Sequence, residues 1–406
     1  MSQLEKLRAL LAEITPGNGY QTARLTAAGV NADIASLVEF SARMPFTTKA
    51  ELVADQAAYP PYGSNLTHPV ERYSRFCQTS GTTARPLVIL DTAESWDWLL
   101  GNWAHIYRAA GLAAGDRIYF AFSFGPFLGF WTAFEAAAKL GFLCLPGGGL
   151  GSAARLRALI EQRATVLCCT PTYALHLAEV AVAEGIDLAK SAVRKIIVAG
   201  ESGGSVPAVR AKISTAWHGA RVIDHYGMTE VGPVAFQEAD AEGVLRVIEE
   251  SYFAEVIEPG SGVAVAPGEV GELVLTTLGR SACPLLRYRT GDLVRRIADD
   301  AGFALAGGII GRVDDMVVVR GVNLYPSAVD AVVRAVPEIA EYRVAVSRRG
   351  ALTEVALQIE GEDAAAEKLA RALTSAFSLR IPVTRVARGT LPRFEMKARR
   401  WVGVEG

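Results

Sequence analysis

Residues 165–201 read TVLCCTPTYALHLAEVAVAEGIDLAKSAVRKIIVAGE. TVLCCT is a short unbroken apolar run, TYALHLAEVAVAEG carries helical periodicity, and RKIIVAGE is a second apolar run that stops at a glycine. Two buried strands joined by one helix read as parallel neighbours. The alternation continues outward. GDRIYFAFS (strand), FLGFWTAFEAAAKLG (helix), FLCLP (strand) and SAARLRALIEQR (helix) precede it, and VPAVRAKISTAW (helix) and ARVIDHYG (strand) follow. Residues 115–230 are therefore expected to form a parallel, doubly wound α/β sheet. Ligands of such sheets gather where loops leave the carboxyl ends of strands, which is where GESGGS and HYGMTE fall.

The flanks differ. LEKLRALLAEI is amphipathic and DIASLVEFSARM follows Asn31 and Asp33 as helix caps, after which the first 70 residues turn loop-rich. Residues 235–310 carry short strands and turns, a β-rich subdomain. After Gly311 the pattern reads β-β-α-β-α, a small α+β domain. The expected division is 1–311 and 312–406. The uncharged run IYFAFSFGPFLGFWTAF approaches the ~20 residues of a membrane span. Gly125-Pro126 interrupts it, so it reads as strand, loop, then helix.

A chain of 406 residues exceeds one ordinary domain. With 41 basic and 43 acidic side chains the net charge is −2, which argues against nucleic acid or an anionic membrane as partner. The five cysteines are scattered and never spaced C-x-x-C, so no disulfide framework is expected and a reducing, cytoplasmic setting fits. The opening MSQLEKLRALLAEI has no signal-peptide apolar region.

Thr79-Ser80-Gly81-Thr82-Thr83 combines small residues and hydroxyls, as a loop wrapping a polyphosphate would, although a Ser/Thr-rich surface turn looks the same. Downstream stand DHYGMTE (224–230), YRTGDL (288–293), GRVDDM (311–316), RGVN (320–323) and LPRFEMK (391–397). Five motifs in this order resemble the adenylate-forming (acyl-CoA synthetase) superfamily. RGVNLYPSAV, RYRTGDL and the short LPRFEMK ending resemble its phenylacetate–CoA ligase branch, from about residue 40 to the C-terminus.

The resemblance implies a carboxylate that attacks the α-phosphate of Mg·ATP, then a thiol that attacks the acyl-adenylate after a small C-terminal domain turns. It implies that Ser80, Gly81, Thr82 and Thr83 hold the β- and γ-phosphates. Tyr226 would stack on adenine, Gly200 and Glu201 would line that slot, and Asp224 would sit at the adenine edge. Thr229 would meet the α-phosphate, Glu230 would ligate Mg²⁺, and Asp292 would accept the ribose hydroxyls with Arg312 adding a donor. Asp314 falls at the hinge, and Lys397 is the mobile catalytic lysine. Taken singly, Asp292 also reads as a turn cap, Asp314 as a solvated acid, Tyr226 as core and Lys397 as a tail cation.

The phosphate loop continues with Ala84 and Arg85 where glycine and lysine are usual. Arg85 keeps the charge with another donor geometry. Alanine at position 84 costs about 1 kcal/mol or more if φ must be positive. For the acid, the implied pocket lies between FSFGPFLGF and VAGESGG. Phe124 and Phe127 supply aromatic surface, Ala199 and Gly200 leave room, and Gly227 lies alongside. His225 either lines that pocket or packs in the core. A flat aromatic acid of benzoate or arylacetate type fits. AFQEADAEGVLRVIEES lacks the Cys and His with which relatives hold a structural zinc, and Glu238 and Arg246 fall roughly where ligands would stand, so no zinc is expected and the sheet would need local packing or ion pairing instead. The implied activity is an AMP-forming aryl-CoA ligase using ATP, Mg²⁺ and CoA. Transfer to a carrier protein's phosphopantetheine and a non-catalytic ATP-binding relative are the alternatives. The branch also makes room for a homodimer.

Overall fold

The computed structural model describes residues 1–79, 85–299, 302–320, 322–349, 352–394 and 399–404. Four helices, α1 (Gln3–Ile14), α2 (Gly19–Ala28), α3 (Leu37–Arg43) and α4 (Lys49–Ala58), lead into the strands β1 (Tyr73–Gln78) and β2 (Val88–Thr92). Next come α5 (Ala93–Ala109), β3 (Arg117–Phe120), α6 (Leu128–Lys139), β4 (Leu143–Pro146), α7 (Ser152–Glu161), β5 (Val166–Cys169), α8 (Pro171–Ala183), β6 (Lys195–Val198), α9 (Pro207–Ala216) and β7 (Arg221–Met228). A run of strands follows: β8 (Gly232–Gln237), β9 (Val244–Val247), β10 (Tyr252–Ile257), β11 (Val270–Thr277), β12 (Tyr288–Ile297), β13 (Ala304–Ala306) and β14 (Gly311–Arg312). The chain ends with β15 (Val317–Val319), β16 (Val322–Leu324), α10 (Pro326–Arg334), β17 (Glu341–Arg349), β18 (Leu352–Glu360), α11 (Asp363–Phe377), β19 (Val383–Val386) and β20 (Trp401–Val404).

The strands of the quoted stretch pair as read. The order β4-β3-β5-β6-β7 is parallel throughout. Their side chains alternate between two cores. Tyr119, Leu167, Cys169, Ile196 and Val198 face α7, α8 and α9. Ile118, Phe120, Val166, Cys168 and Ile197 face α5 and α6. Apolar residues on both faces are what a helix-covered parallel sheet requires. The β-rich region is not a detached layer. β8 folds back antiparallel onto β7, and β9, β13, β12, β11 and β10 extend the same sheet to twelve strands, with β14 alongside β12.

Two details of the sequence reading change. The helix in DIASLVEFSARM is capped by Ser36, whose hydroxyl accepts from the Glu39 amide at 3.1 Å, while Asn31 closes a turn onto the Asp33 amide. After Gly311 the order is β-β-α-β-β-α-β-β. The sheet β19-β18-β17-β20 and the helices α10 and α11 share one core around Val329, Val344, Leu357 and Leu369. The apolar run 118–134 is the end of β3, a loop and α6; among the described residues no helix is long and apolar enough to cross a membrane. All five cysteines are unpaired. Burial pushes the Cys77 and Cys283 thiols up to about 12 and Cys144 to about 11.

Candidate active site

Strand β7 ends at the carboxyl edge of the parallel sheet, and successive residues point to opposite faces. Asp224 is buried; its Oδ2 accepts from the Ser205 hydroxyl at 2.6 Å. The backbone closes tightly over it, because a Cβ on Gly204 would lie 2.2 Å from its Oδ1. Burial raises this carboxyl to about 7, against the opposing pull of Ser205 and Arg210. His225, on the other face, meets the Trp103 ring edge-on at 4.5 Å between centroids. Burial holds its imidazole down at about 4, hence neutral, against the opposing pull of the Tyr226 backbone, and no side chain among the described residues hydrogen-bonds either ring nitrogen.

Tyr226, Asp292 and Arg312 form a chain. The Tyr226 hydroxyl donates to Asp292 Oδ2 at 2.6 Å, and Arg312 Nη1 donates to Oδ1 at 2.6 Å. Arg312 lies directly across from Asp292 in the β12–β14 register. Asp314, two residues on, is exposed.

Thr229 and Glu230 occupy the turn between β7 and β8. The Glu230 side chain is buried; its Oε1 lies 3.1 Å from Lys49 Nζ and accepts from the Tyr288 hydroxyl at 3.4 Å. Its carbonyl accepts from Arg280 Nη1 at 2.6 Å, and the same guanidinium grips Asp91. Lys49, Asp91 and Arg280 were not singled out by the sequence. Nothing local marks them, since Arg280 is 189 residues from Asp91 and 50 from Glu230.

The phosphate-loop residues Ser80, Gly81, Thr82, Thr83 and Ala84, and also Lys397, lie outside the described residues. The base of that loop is well defined. Thr79 N donates to the Leu87 carbonyl at 2.9 Å, and Leu87 N donates to the Thr79 hydroxyl at 3.0 Å. Gln78 N reaches the Pro126 carbonyl at 2.7 Å, joining the loop to the segment before α6. There Phe124 packs on Phe122, Trp131 and Phe134, and half-buried Phe127 immediately precedes the helix.

On the opposite side Ala199 is buried and Gly200 turns the chain with φ +91. The Glu201 carboxylate accepts from the Thr172 amide at 2.7 Å, at the N-terminus of α8 where an anion is favoured. Gly227 is required by the β7–β8 crossing, since a Cβ there would lie 2.7 Å from the Gly232 carbonyl. Arg246, on β9, makes ion pairs with Glu238 (2.8 Å) and Asp299 (2.9 Å).

Residues 41–279 match the family described as AMP-binding enzyme, and residues 321–403 match the AMP-binding enzyme C-terminal domain. The chain belongs to the AMP-binding enzyme family. It is 30% identical over 366 residues to the phenylacetate-coenzyme A ligase of Pseudomonas putida, covering 88% of this chain and 81% of that protein. The phenylacetate-coenzyme A ligase of Thermus thermophilus is 31% identical over 365 residues, with 88% and 80% covered. Among solved structures, 2-hydroxyisobutyryl-CoA ligase in the postadenylation state with 2-HIB-AMP superposes with a TM-score of 0.93 at 28% identity, covering 99% of this chain and 89% of that one. The same ligase with 2-HIB-AMP and CoA in the thioesterification state gives 0.74.

The AMP-binding enzyme described here therefore has its C-terminal part placed as in the postadenylation state. One contact across that seam is explicit. Arg393, in the LPRFEMK motif, donates to both oxygens of Glu360 (2.7 and 3.2 Å) and through Nε to Glu179 on α8 at 3.1 Å. Leu391 N also donates to Glu360, at 2.7 Å. These donors hold the Glu360 carboxyl at about 2 although burial opposes them. Lys212 on α9 crosses the same seam to the Ile339 carbonyl at 3.1 Å.

Proposed function

We propose that this AMP-binding enzyme activates an aromatic carboxylic acid with ATP and transfers the acyl group to CoA. In the first half-reaction a carboxylate oxygen attacks the α-phosphorus, the bond to the β-phosphate oxygen breaks, and pyrophosphate leaves. In the second, the CoA sulfur, having lost its proton, attacks the acyl carbon and AMP leaves. The observation that carries this reading is Asp292. Its buried carboxylate, fixed by Tyr226 and Arg312, presents two acceptor oxygens in set positions, which suits two adjacent ribose hydroxyls. Phenylacetate-coenzyme A ligases among the relatives supply the substrate class.

The other roles follow from position. Residues 1–311 would bind ATP and acid, and residues 312–406 would carry Lys397 to the reacting carboxylate. Ser80, Gly81, Thr82 and Thr83 would cap the β- and γ-phosphates above the Thr79–Leu87 clasp. Tyr226 would pack against adenine, with Gly200 lining its slot and Asp224 below. Thr229 would contact the α-phosphate. Glu230 fits Mg²⁺, because its buried carboxylate has Oε1 held by Lys49 and Tyr288 while a magnesium site needs few protein oxygens beside phosphates. When bound, Mg²⁺ would neutralise phosphate charge. Five unpaired cysteines favour a reducing compartment such as the cytoplasm.

The test is incubation with ATP, Mg²⁺, CoA and a panel of aromatic and aliphatic acids, read by mass spectrometry, with Lys397→Ala alongside. An aryl-CoA product that the variant fails to make supports the reading. Acyl-AMP without acyl-CoA would move the acceptor to a carrier-bound thiol. Bound ATP without either product would overturn it.

A further inference from the structure

His225 is 7% exposed, and beyond an interaction with the Tyr226 backbone neither Nδ1 nor Nε2 is hydrogen-bonded among the described residues. Buried polar groups are nearly always satisfied, and one left open destabilises the fold. The Tyr226 backbone can answer one nitrogen at most, and the polar side chains nearby are bonded to one another. The Trp103 indole N–H donates to the Thr132 hydroxyl at 2.9 Å, and that hydroxyl donates to the Gly129 carbonyl at 3.0 Å. The cross-strand partner of His225 is Phe236.

The position of the ring gives the nitrogen left open a use. His225 immediately precedes Tyr226, whose hydroxyl reaches Asp292. It faces the side of the sheet covered by α5 and α6, the side on which Phe122 and Phe124 pack. That is the side on which the acid pocket is expected from the sequence, and the inference rests on the proposed function.

We propose that His225 is the specificity-determining residue of the acyl pocket, and that the acid activated here bears a hydroxyl group on its aromatic ring, bonded to the open imidazole. A neutral imidazole offers one donor and one acceptor, and a hydroxyl group can answer either. The choice is asymmetric. An apolar pocket rejects an added hydroxyl only weakly, whereas a site built to hydrogen-bond one rejects the analogue lacking it by several orders of magnitude at best, because the buried group stays unpaired.

The experiment measures kcat/KM for matched pairs: benzoate and phenylacetate against their ring-hydroxylated counterparts, and isobutyrate against 2-hydroxyisobutyrate as the non-aromatic arm. Wild-type enzyme, His225→Leu and His225→Gln are compared, with the KM for ATP as control. The expected result is at least a ~30-fold preference of wild type for a ring-hydroxylated acid. That preference should collapse toward unity or invert in His225→Leu, survive in part in His225→Gln, and leave the KM for ATP unchanged. Efficient turnover of the unsubstituted acids, with ratios unmoved by His225→Leu, overturns the proposal while leaving the ligase reading intact. A preference confined to the 2-hydroxyisobutyrate pair overturns the aromatic assignment. Absence of acyl-AMP and thioester with every acid overturns the ligase reading and this one together.

Discussion

Arg280 and Asp91 lie wholly out of solvent, and the guanidinium donates to both carboxylate oxygens, Nε to Oδ1 at 2.7 Å and Nη2 to Oδ2 at 2.5 Å. The remaining nitrogen, Nη1, holds the Glu230 carbonyl at 2.6 Å. One buried arginine thus ties strand β2 to the turn that presents Thr229 and Glu230. Removing one member strands a buried charge, for which about 3–5 kcal/mol is typical. Asp91→Asn and Arg280→Met should each lower stability by that order in denaturant unfolding. The double variant should recover much of the stability but not the rate of acyl-AMP formation, since the Glu230 carbonyl loses its donor.

Asp292→Asn should weaken ATP more than the acid. The amide has one acceptor oxygen where the carboxylate has two, and it faces Arg312 with no charge. A rise in the KM for ATP of ten-fold or more in pyrophosphate exchange is expected. Tyr226→Phe removes one donor and should cost roughly 1 kcal/mol, about five-fold. An unchanged KM for ATP in Asp292→Asn would argue against a ribose role.

The Arg393–Glu179 ion pair spans the seam present in the arrangement that resembles the postadenylation state. Glu179→Gln should therefore slow acyl-AMP formation and spare thioester formation from supplied acyl-AMP. Both partners are partly exposed, which limits the pair to roughly 1 kcal/mol, a few-fold effect that salt weakens. Arg393→Met should do more harm, because Glu360 has no exposed side-chain surface and would lose its bidentate partner. Equal loss in both half-reactions of Glu179→Gln would assign it a merely structural role.

Asp224 and His225 give stability a worked pH dependence. Asp224 titrates near 7 in the fold, above its ordinary 3.8, so the folded state binds more protons and stability falls as pH rises from about 4 to 7. His225 titrates near 4, below its ordinary 6.5, so its contribution is present above 6.5 and is lost as pH falls to about 4. In wild type the two slopes oppose each other over that window. Asp224→Asn should leave a stability that rises with pH between about 4 and 6.5, and His225→Leu one that falls, in denaturant titrations at stepped pH.

The parallel sheet was legible because each of its strands is a local apolar run and each crossover a local helix, as 165–201 illustrates. The motif residues Tyr226, Asp292 and Arg312 could be named from the sequence, and the structure brings the three into contact. What was not legible is non-local. The continuity of β7 into β8 depends on Gly227 allowing a close strand crossing. Lys49, Asp91, Arg280 and Glu179 acquire meaning only from partners between 50 and 214 residues away. Ser36 displaced Asn31 and Asp33 as a cap because an Asx turn satisfied those residues first.

The five unpaired cysteines have a practical corollary. Thiols pushed far from ionisation, such as Cys77, Cys144 and Cys283, carry almost no nucleophilic thiolate near neutrality. Maleimides should leave the native chain largely unlabelled. A fluorophore pair attached through introduced cysteines at two exposed sites, such as Glu184 beyond α8 and Arg371 on α11, would then report whether single molecules change arrangement between the two half-reactions, without first stripping the wild-type background.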